Sequence, residues 1–174
     1  PGANGLLYLP YLLGERSPRW NHAARGAFVG LDVTTTRAEM ARAVMEGVGY
    51  NLKVILDILD ERRPVEALTV IGGGAKGRLW LEILADIWQK PLEAPAYLEE
   101  ATSLGAAVCG GVGVGMFPDY SVARRFNKTA GRIEPNPANA DRYKILYQAF
   151  NEAYEALRPV YGALAAYRAR TEGK

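Results

Sequence analysis

Apolar positions along this chain repeat with two periods, and the places where the period changes mark its elements. Leu6-Leu7-Tyr8-Leu9 is a short apolar run closed by Pro10 and predicts a strand. Residues 26–33 alternate in part and predict a second strand. Between them, residues 11–25 are broken by Gly14 and Pro18 and carry mixed charge. A loop this long in a compact domain is usually functional or disordered. Thr36, followed three residues later by Glu39, reads as a capping box. A helix follows over about 37–59, with Met40, Val44, Val48, Leu52, Ile55 and Leu59 as its expected buried stripe, and Arg62-Arg63-Pro64 ends it.

The second half repeats the theme. Leu68 to Ile71 is a short β-branched strand run, and Leu79, Trp80, Ile83, Leu84, Ile87 and Trp88 then share one helical face. Lys90-Pro91 stops that helix, and a brief strand at 92–94 is bounded by Pro91 and Pro95. Residues 103–114 are rich in Ala and Gly, which suits a helix lying close to a sheet or a neighbouring helix. A short helix is expected at 119–125, with Asp119 or Ser121 near its start. An edge strand is expected at 131–135, limited by Pro135. Residues 136–170 predict a long amphipathic helix with Tyr143, Leu146, Tyr147, Phe150, Tyr154, Leu157 and Tyr161 inward and a kink at Pro159. Residues 171–174 are expected to fray. There is no internal repeat. The order gives one α/β domain, residues 1–174, with a mixed sheet.

Composition narrows the class without naming a function. The chain of 174 residues is 49% hydrophobic and 23% charged, in the range of soluble globular domains. A net charge of +2 gives no reason to expect nucleic acid as a partner. No apolar run is long enough for a membrane span. The one cysteine, Cys109, sits in an apolar run and is expected to be a small buried side chain; with no partner for a disulfide it fits a cytoplasmic location. The first residues, Pro1-Gly2-Ala3-Asn4, carry no signal-peptide pattern and read as a chain beginning inside something longer.

Candidate chemistry centres on the turn between the strand at 68–71 and the helix after it. Gly72-Gly73-Gly74-Ala75-Lys76-Gly77 matches G-x-G-x-x-G, and Glu93 lies about 20 residues on, as in a dinucleotide-binding fingerprint. Glycine allows a sharp turn and close approach of a ligand, and the free N–H groups of a helix start favour anionic groups. A ligand-free βα turn is the plain structural alternative. Two features count against an NAD- or FAD-binding domain. The next strand is only a few residues between prolines, and a strand pair and a long helix precede the motif.

A second reading comes from resemblance. Gly26-Ala27-Phe28-Val29-Gly30-Leu31, then seven residues, then Glu39-Met40-Ala41-Arg42-Ala43-Val44-Met45-Glu46, resembles the C-terminal signature of the FGGY carbohydrate kinases. Leu9 to Pro18 resembles the corresponding loop of the xylulose kinase branch. Asn21 to Gly26, Ile71 to Ala75 and Glu99 to Ala107 are also similar to that family. The resemblance runs from about Gly5 to about Leu157.

It implies an actin-like, RNase H-like fold with a long C-terminal helix, and a chain that is the ATP-side half of a two-domain kinase whose N-terminal domain lies outside this sequence. It implies ATP and Mg2+, with the γ-phosphoryl group passing to a sugar hydroxyl, D-xylulose favoured. Gly72, Gly73, Gly74 and Ala75 would contact the adenosine side, with Arg78 at a place where the family often has Asn or Ser. Gly105 and Ala106 would let the next helix pack under the nucleotide. Glu15 and Arg16 are the polar residues expected on the cleft wall, either touching substrate or pairing with each other or their neighbours to hold the loop. His22, the one histidine, is expected to be a surface or loop-ordering residue.

The catalytic Asp is expected upstream of this chain, and Asp32, Asp57, Asp60 and Asp86 look like ordinary surface or cap residues. No metal ligands are assigned. The chain alone is expected to be inactive, to leave most sugar contacts to the N-terminal domain, and to be capable of self-association through its exposed cleft face or of forming a homodimer. A non-catalytic ligand-binding domain is the third alternative.

Overall fold

Thr36 starts the longest early element by a reciprocal bond. Its Oγ1 accepts from the Glu39 N–H at 3.2 Å, and the Glu39 carboxylate accepts from the Thr36 N–H at 2.7 Å. The helix α1 then runs Arg37–Arg62. The computed structural model describes residues 1–171; residues 172–174, expected to fray, lie outside them.

Ahead of α1, strands β1 (Leu7–Leu9) and β2 (Ala27–Val29) pair antiparallel, Leu7 opposite Val29. After it, β3 (Leu68–Thr69) leads through a 3-10 turn, Gly73–Lys76, into α2 (Arg78–Trp88). β4 (Leu92–Pro95) lies parallel to β3, and β5 (Thr129–Ile133) lies antiparallel to β4. Between β4 and β5 come α3 (Ala101–Gly113) and the short α4 (Ala123–Phe126), the latter preceded by a turn in which Asp119 accepts the Ser121 N–H. α5 (Ala140–Thr171) closes the described chain and passes through Pro159 as one helix. The sheet material is thus a two-stranded antiparallel pair and a three-stranded mixed sheet.

The main core lies where α1, α2 and α5 meet β1. Ile83, Leu84, Ile87 and Trp88 of α2 are buried there, as are Tyr143, Phe150, Tyr154 and Tyr161 of α5. Trp88 satisfies its indole N–H on the Gly49 carbonyl at 2.9 Å. Leu79, assigned to the same apolar face by its spacing, is exposed in the first turn of α2.

The phase of α1 differs from the expected one. Val44, Leu52 and Leu59 are exposed, while Met40, Val48 and Ile55 are half-buried. The buried face is Ala43, Glu46, Gly47, Gly49, Tyr50 and Leu56. The reason is close approach. Position 47 faces the Tyr8 carbonyl of β1, and position 49 faces Ile87 of α2, so neighbours sit tightest over the glycines rather than over the large aliphatics.

Cys109 is likewise exposed rather than buried. α3 packs through Val108 and Gly111, with Phe117 against the latter, while a Cβ at 105, 110 or 113 would meet nothing within 4 Å. The small-residue face of α3 is therefore open among the described residues. β5 begins two residues earlier than expected and ends at Ile133, opposite Leu92. The segment expected to begin α5 is instead a 3-10 turn, Pro137–Asn139, capped by Asn136.

Candidate nucleotide site

The C-terminal ends of parallel strands β3 and β4 point the same way, and a loop leaves each. In open α/β sheets the crevice outside such strand ends is where ligands bind. The loop after β3 is the glycine turn, and its three glycines differ in what they need. Gly72 has φ 78° and ψ −169°, a conformation that residues with a Cβ avoid. Gly74 packs against Trp80, where a Cβ would lie 3.3 Å from the indole nitrogen. Gly73 has neither reason: its φ is not in the left-handed region, and a Cβ there would meet nothing within 4 Å. Ala75 is buried beneath the turn.

The loop after β4 carries Glu99, and Lys76 of the glycine turn forms an ion pair with it across the crevice. Both side chains are exposed, and the Lys76 hydrogen bond holds the Glu99 carboxyl below the usual carboxylate range. No spacing rule connects positions 76 and 99; the parallel pairing of β3 and β4 brings them together.

Arg78 points away from this arrangement. Its Nε donates to Glu82 at 2.8 Å one turn along α2, and it lines a separate cavity with Asp86, Arg132 and Asn139. Gly105 lines a small apolar cavity of about 230 Å³ with Ile71, Leu104 and Val108. Ala106 is exposed.

The loop at 11–25 is internally tied. Glu15 is buried and accepts the Arg19 N–H at 2.9 Å. Arg16 is exposed and makes no ion pair with Glu15. Arg19 does the holding: its guanidinium lies 3.9 Å over the Tyr154 ring, donates to Tyr11 Oη at 3.3 Å, and also donates to Asn151. Asn21 adds a bond to Tyr154 Oη at 3.1 Å. Arg19 is not singled out by sequence, because its partner Asn151 lies 132 residues away on α5; Asn21 stands in the motif at 21–26, but its bond to Tyr154 is not legible there. The His22 side chain is exposed, and its carbonyl accepts from Arg25.

The carboxylates considered as substitutes for a catalytic acid or a ribose ligand are engaged in structure. Asp86, expected at the surface or a cap, is buried and accepts from the Asn136 N–H and Asn139 Nδ2 at 2.8 and 2.7 Å. Asp60 holds Val65 N–H and Lys90, Asp57 holds Lys53 and Tyr147, and Asp32 binds Thr34 and Thr35. Glu93, the acid a dinucleotide fingerprint requires, pairs instead with Arg132 across β4 and β5 at 2.8 Å. Among the described residues, no group of three or more His, Cys, Asp or Glu could hold a metal ion.

The domain has the fold of the actin-like ATPases: the solved sugar kinases that it superposes on belong to that class, and its mixed sheet, strand–glycine turn–helix unit and long C-terminal helix are in keeping with it. More narrowly, the chain belongs to the FGGY family of carbohydrate kinases: residues 1–114 match the model of that family's C-terminal domain. The xylulose kinase of Staphylococcus epidermidis (strain ATCC 35984) is 39% identical over 156 residues, covering 88% of this chain and 31% of that protein. The gluconokinase of Bacillus licheniformis is 34% identical over 176 residues, covering 100% of this chain and 34% of that protein. The ligand-bound structure of a xylulose kinase from Lactobacillus acidophilus superposes with a TM-score of 0.86 at 32% identity, over 94% of this chain and 33% of that one. The chain therefore spans about a third of the length of the curated relatives it matches. The signature at Gly26–Glu46 and the family match displace the dinucleotide reading of the glycine turn.

Proposed function

We propose that this chain is the nucleotide-binding half of an ATP-dependent sugar kinase, with Gly72, Gly73, Gly74 and Ala75 supporting the adenosine end of ATP. The observation that carries the reading is Gly73. Packing and backbone conformation within the chain do not require glycine there, and the space a Cβ would take lies open at the end of β3. A ligand pressed against the backbone gives that glycine a reason. The donor set also fits. The turn offers backbone N–H groups and no carboxylate, which suits an anionic nucleotide better than a free cation. Mg2+ would ride on the phosphates and supply charge neutralisation there.

Asp32, Asp57, Asp60, Asp86 and Glu93 are committed to caps, ion pairs and the core, and the base that takes the sugar proton is assigned to an N-terminal domain. The same domain would hold most of the sugar. Glu15 then serves to hold the loop at 11–25, leaving Arg16 to face the cleft. Arg78 keeps a secondary part at most, as its guanidinium is turned along α2. D-Xylulose is the favoured acceptor, on the higher identity to a xylulose kinase, with gluconate as the second reading. The chain by itself is not expected to turn over ATP.

Gly73→Leu tests the seat without attacking the fold. Stability should change by less than about 1 kcal/mol, since the added side chain enters open space. ATP affinity should fall at least about tenfold, because the same space is the ligand's. Unchanged ATP binding by a folded Gly73→Leu chain removes the glycine turn from the site.

A further inference from the structure

Lys76 and Glu99 are placed by two different loops on one crevice, and each is the other's only ion-pair partner among the described residues. The glycine turn leaves the C-terminal end of β3; residues 96–100 leave the C-terminal end of the parallel β4. An exposed pair of this kind contributes little to stability, because water already solvates both charges. It therefore has no strong structural reason to persist when a stronger anion arrives. A nucleotide's phosphate chain carries more charge than one carboxylate and would approach along the backbone N–H groups of the same turn. The pair sits on the turn that would meet those phosphates.

Resting on the proposed nucleotide reading, we propose that Lys76 is the residue of this chain that binds the nucleotide's phosphates, and that Glu99 occupies it in the free state as a resident competitor. Binding then exchanges one ion pair for another: Lys76 leaves Glu99 for phosphate, and the loop at 96–100 is released from the turn. The competition sets affinity in both directions. Removing the lysine costs phosphate recognition, whereas removing the carboxylate charge relieves a rival. Adenosine, which has no phosphate, should be indifferent to both.

The experiment is a calorimetric titration of the chain and of Lys76→Met and Glu99→Gln with ADP and with adenosine, at two salt concentrations. ADP affinity should fall about tenfold in Lys76→Met and rise about threefold in Glu99→Gln, with adenosine affinity unchanged in both. The salt dependence of ADP binding should flatten in Lys76→Met. ADP affinities within twofold of the parent in both variants, or equal losses for ADP and adenosine, overturn the proposal while leaving the nucleotide reading intact. Failure of the parent chain to bind either ligand overturns the nucleotide reading and this proposal with it. Both side chains are exposed, so the variants keep the fold.

Discussion

Gly47→Ala should destabilise the chain by about 3 kcal/mol, near the upper end of what overpacking usually costs. A Cβ at position 47 would sit 2.1 Å from the Tyr8 carbonyl oxygen and 3.0 Å from its carbon. Both are backbone atoms of β1, so no side-chain rotation relieves the clash. Either α1 moves off the sheet or β1 moves off β2, and β1 has only three residues with which to hold its register. Gly105→Ala is the matched control. It too lies inside a helix, but its Cβ would meet nothing within 4 Å, so it should stabilise by about 0.5–1 kcal/mol through the usual helix preference for Ala. Urea denaturation of the two variants should give shifts of opposite sign. Equal shifts would mean that contact between α1 and β1 does not decide the role of glycine at 47.

Glu46→Ala should cost about 3–5 kcal/mol, the range for removing one partner of a buried charge pair. Glu46 Oε1 alone accepts from the Gly2 N–H at 2.7 Å, Arg42 Nε at 2.7 Å and Tyr143 Oη at 2.8 Å. Arg42 Nη2 also donates to Tyr143 Oη at 2.8 Å, closing a triangle among α1 and α5. Truncation leaves a partly buried guanidinium and a buried backbone N–H without their acceptor. Glu46→Gln keeps an acceptor in place and should cost about half as much, since hydrogen bonds to neutral groups are weaker than those to charged ones. A Glu46→Ala/Tyr143→Phe double-mutant cycle by chemical denaturation should show coupling of about 1 kcal/mol or more. Losses below about 1 kcal/mol for Glu46→Ala would show that the network is incidental.

These two residues also show where the sequence is legible and where it is not. The start of α1 is readable because the Thr36–Glu39 capping box is local: both partners lie within one turn. The inward stripe of α5 is readable because its aromatic residues are large and evenly spaced, and they bury as expected. The inward face of α1 is not readable by hydrophobic period, because small residues and one carboxylate decide it. Gly47 and Gly49 permit approach by elements far away in sequence, and Glu46 is paid for by partners 44 and 97 residues distant. Hydrophobicity points to Val44, Leu52 and Leu59, and three-dimensional contact selects the opposite side.

The candidate site divides in the same way. The glycine turn is visible in the chain, since three glycines between a strand and a helix are a local signal. Which glycine serves the fold and which stands free is visible only once Trp80 is seen against Gly74 and open space is seen at Gly73. Glu93 looks like a ribose ligand by spacing, and strand pairing gives it to Arg132. Lys76 and Glu99 look like ordinary surface charges until parallel pairing of β3 and β4 sets them face to face.

Calorimetric titration of the chain with Mg-ATP and, separately, with NAD tests the nucleotide assignment most directly. Saturable binding of Mg-ATP at one site, with no heat from NAD at the same concentrations, is the predicted result. NAD binding without ATP binding, or the absence of any ATP binding, would contradict it.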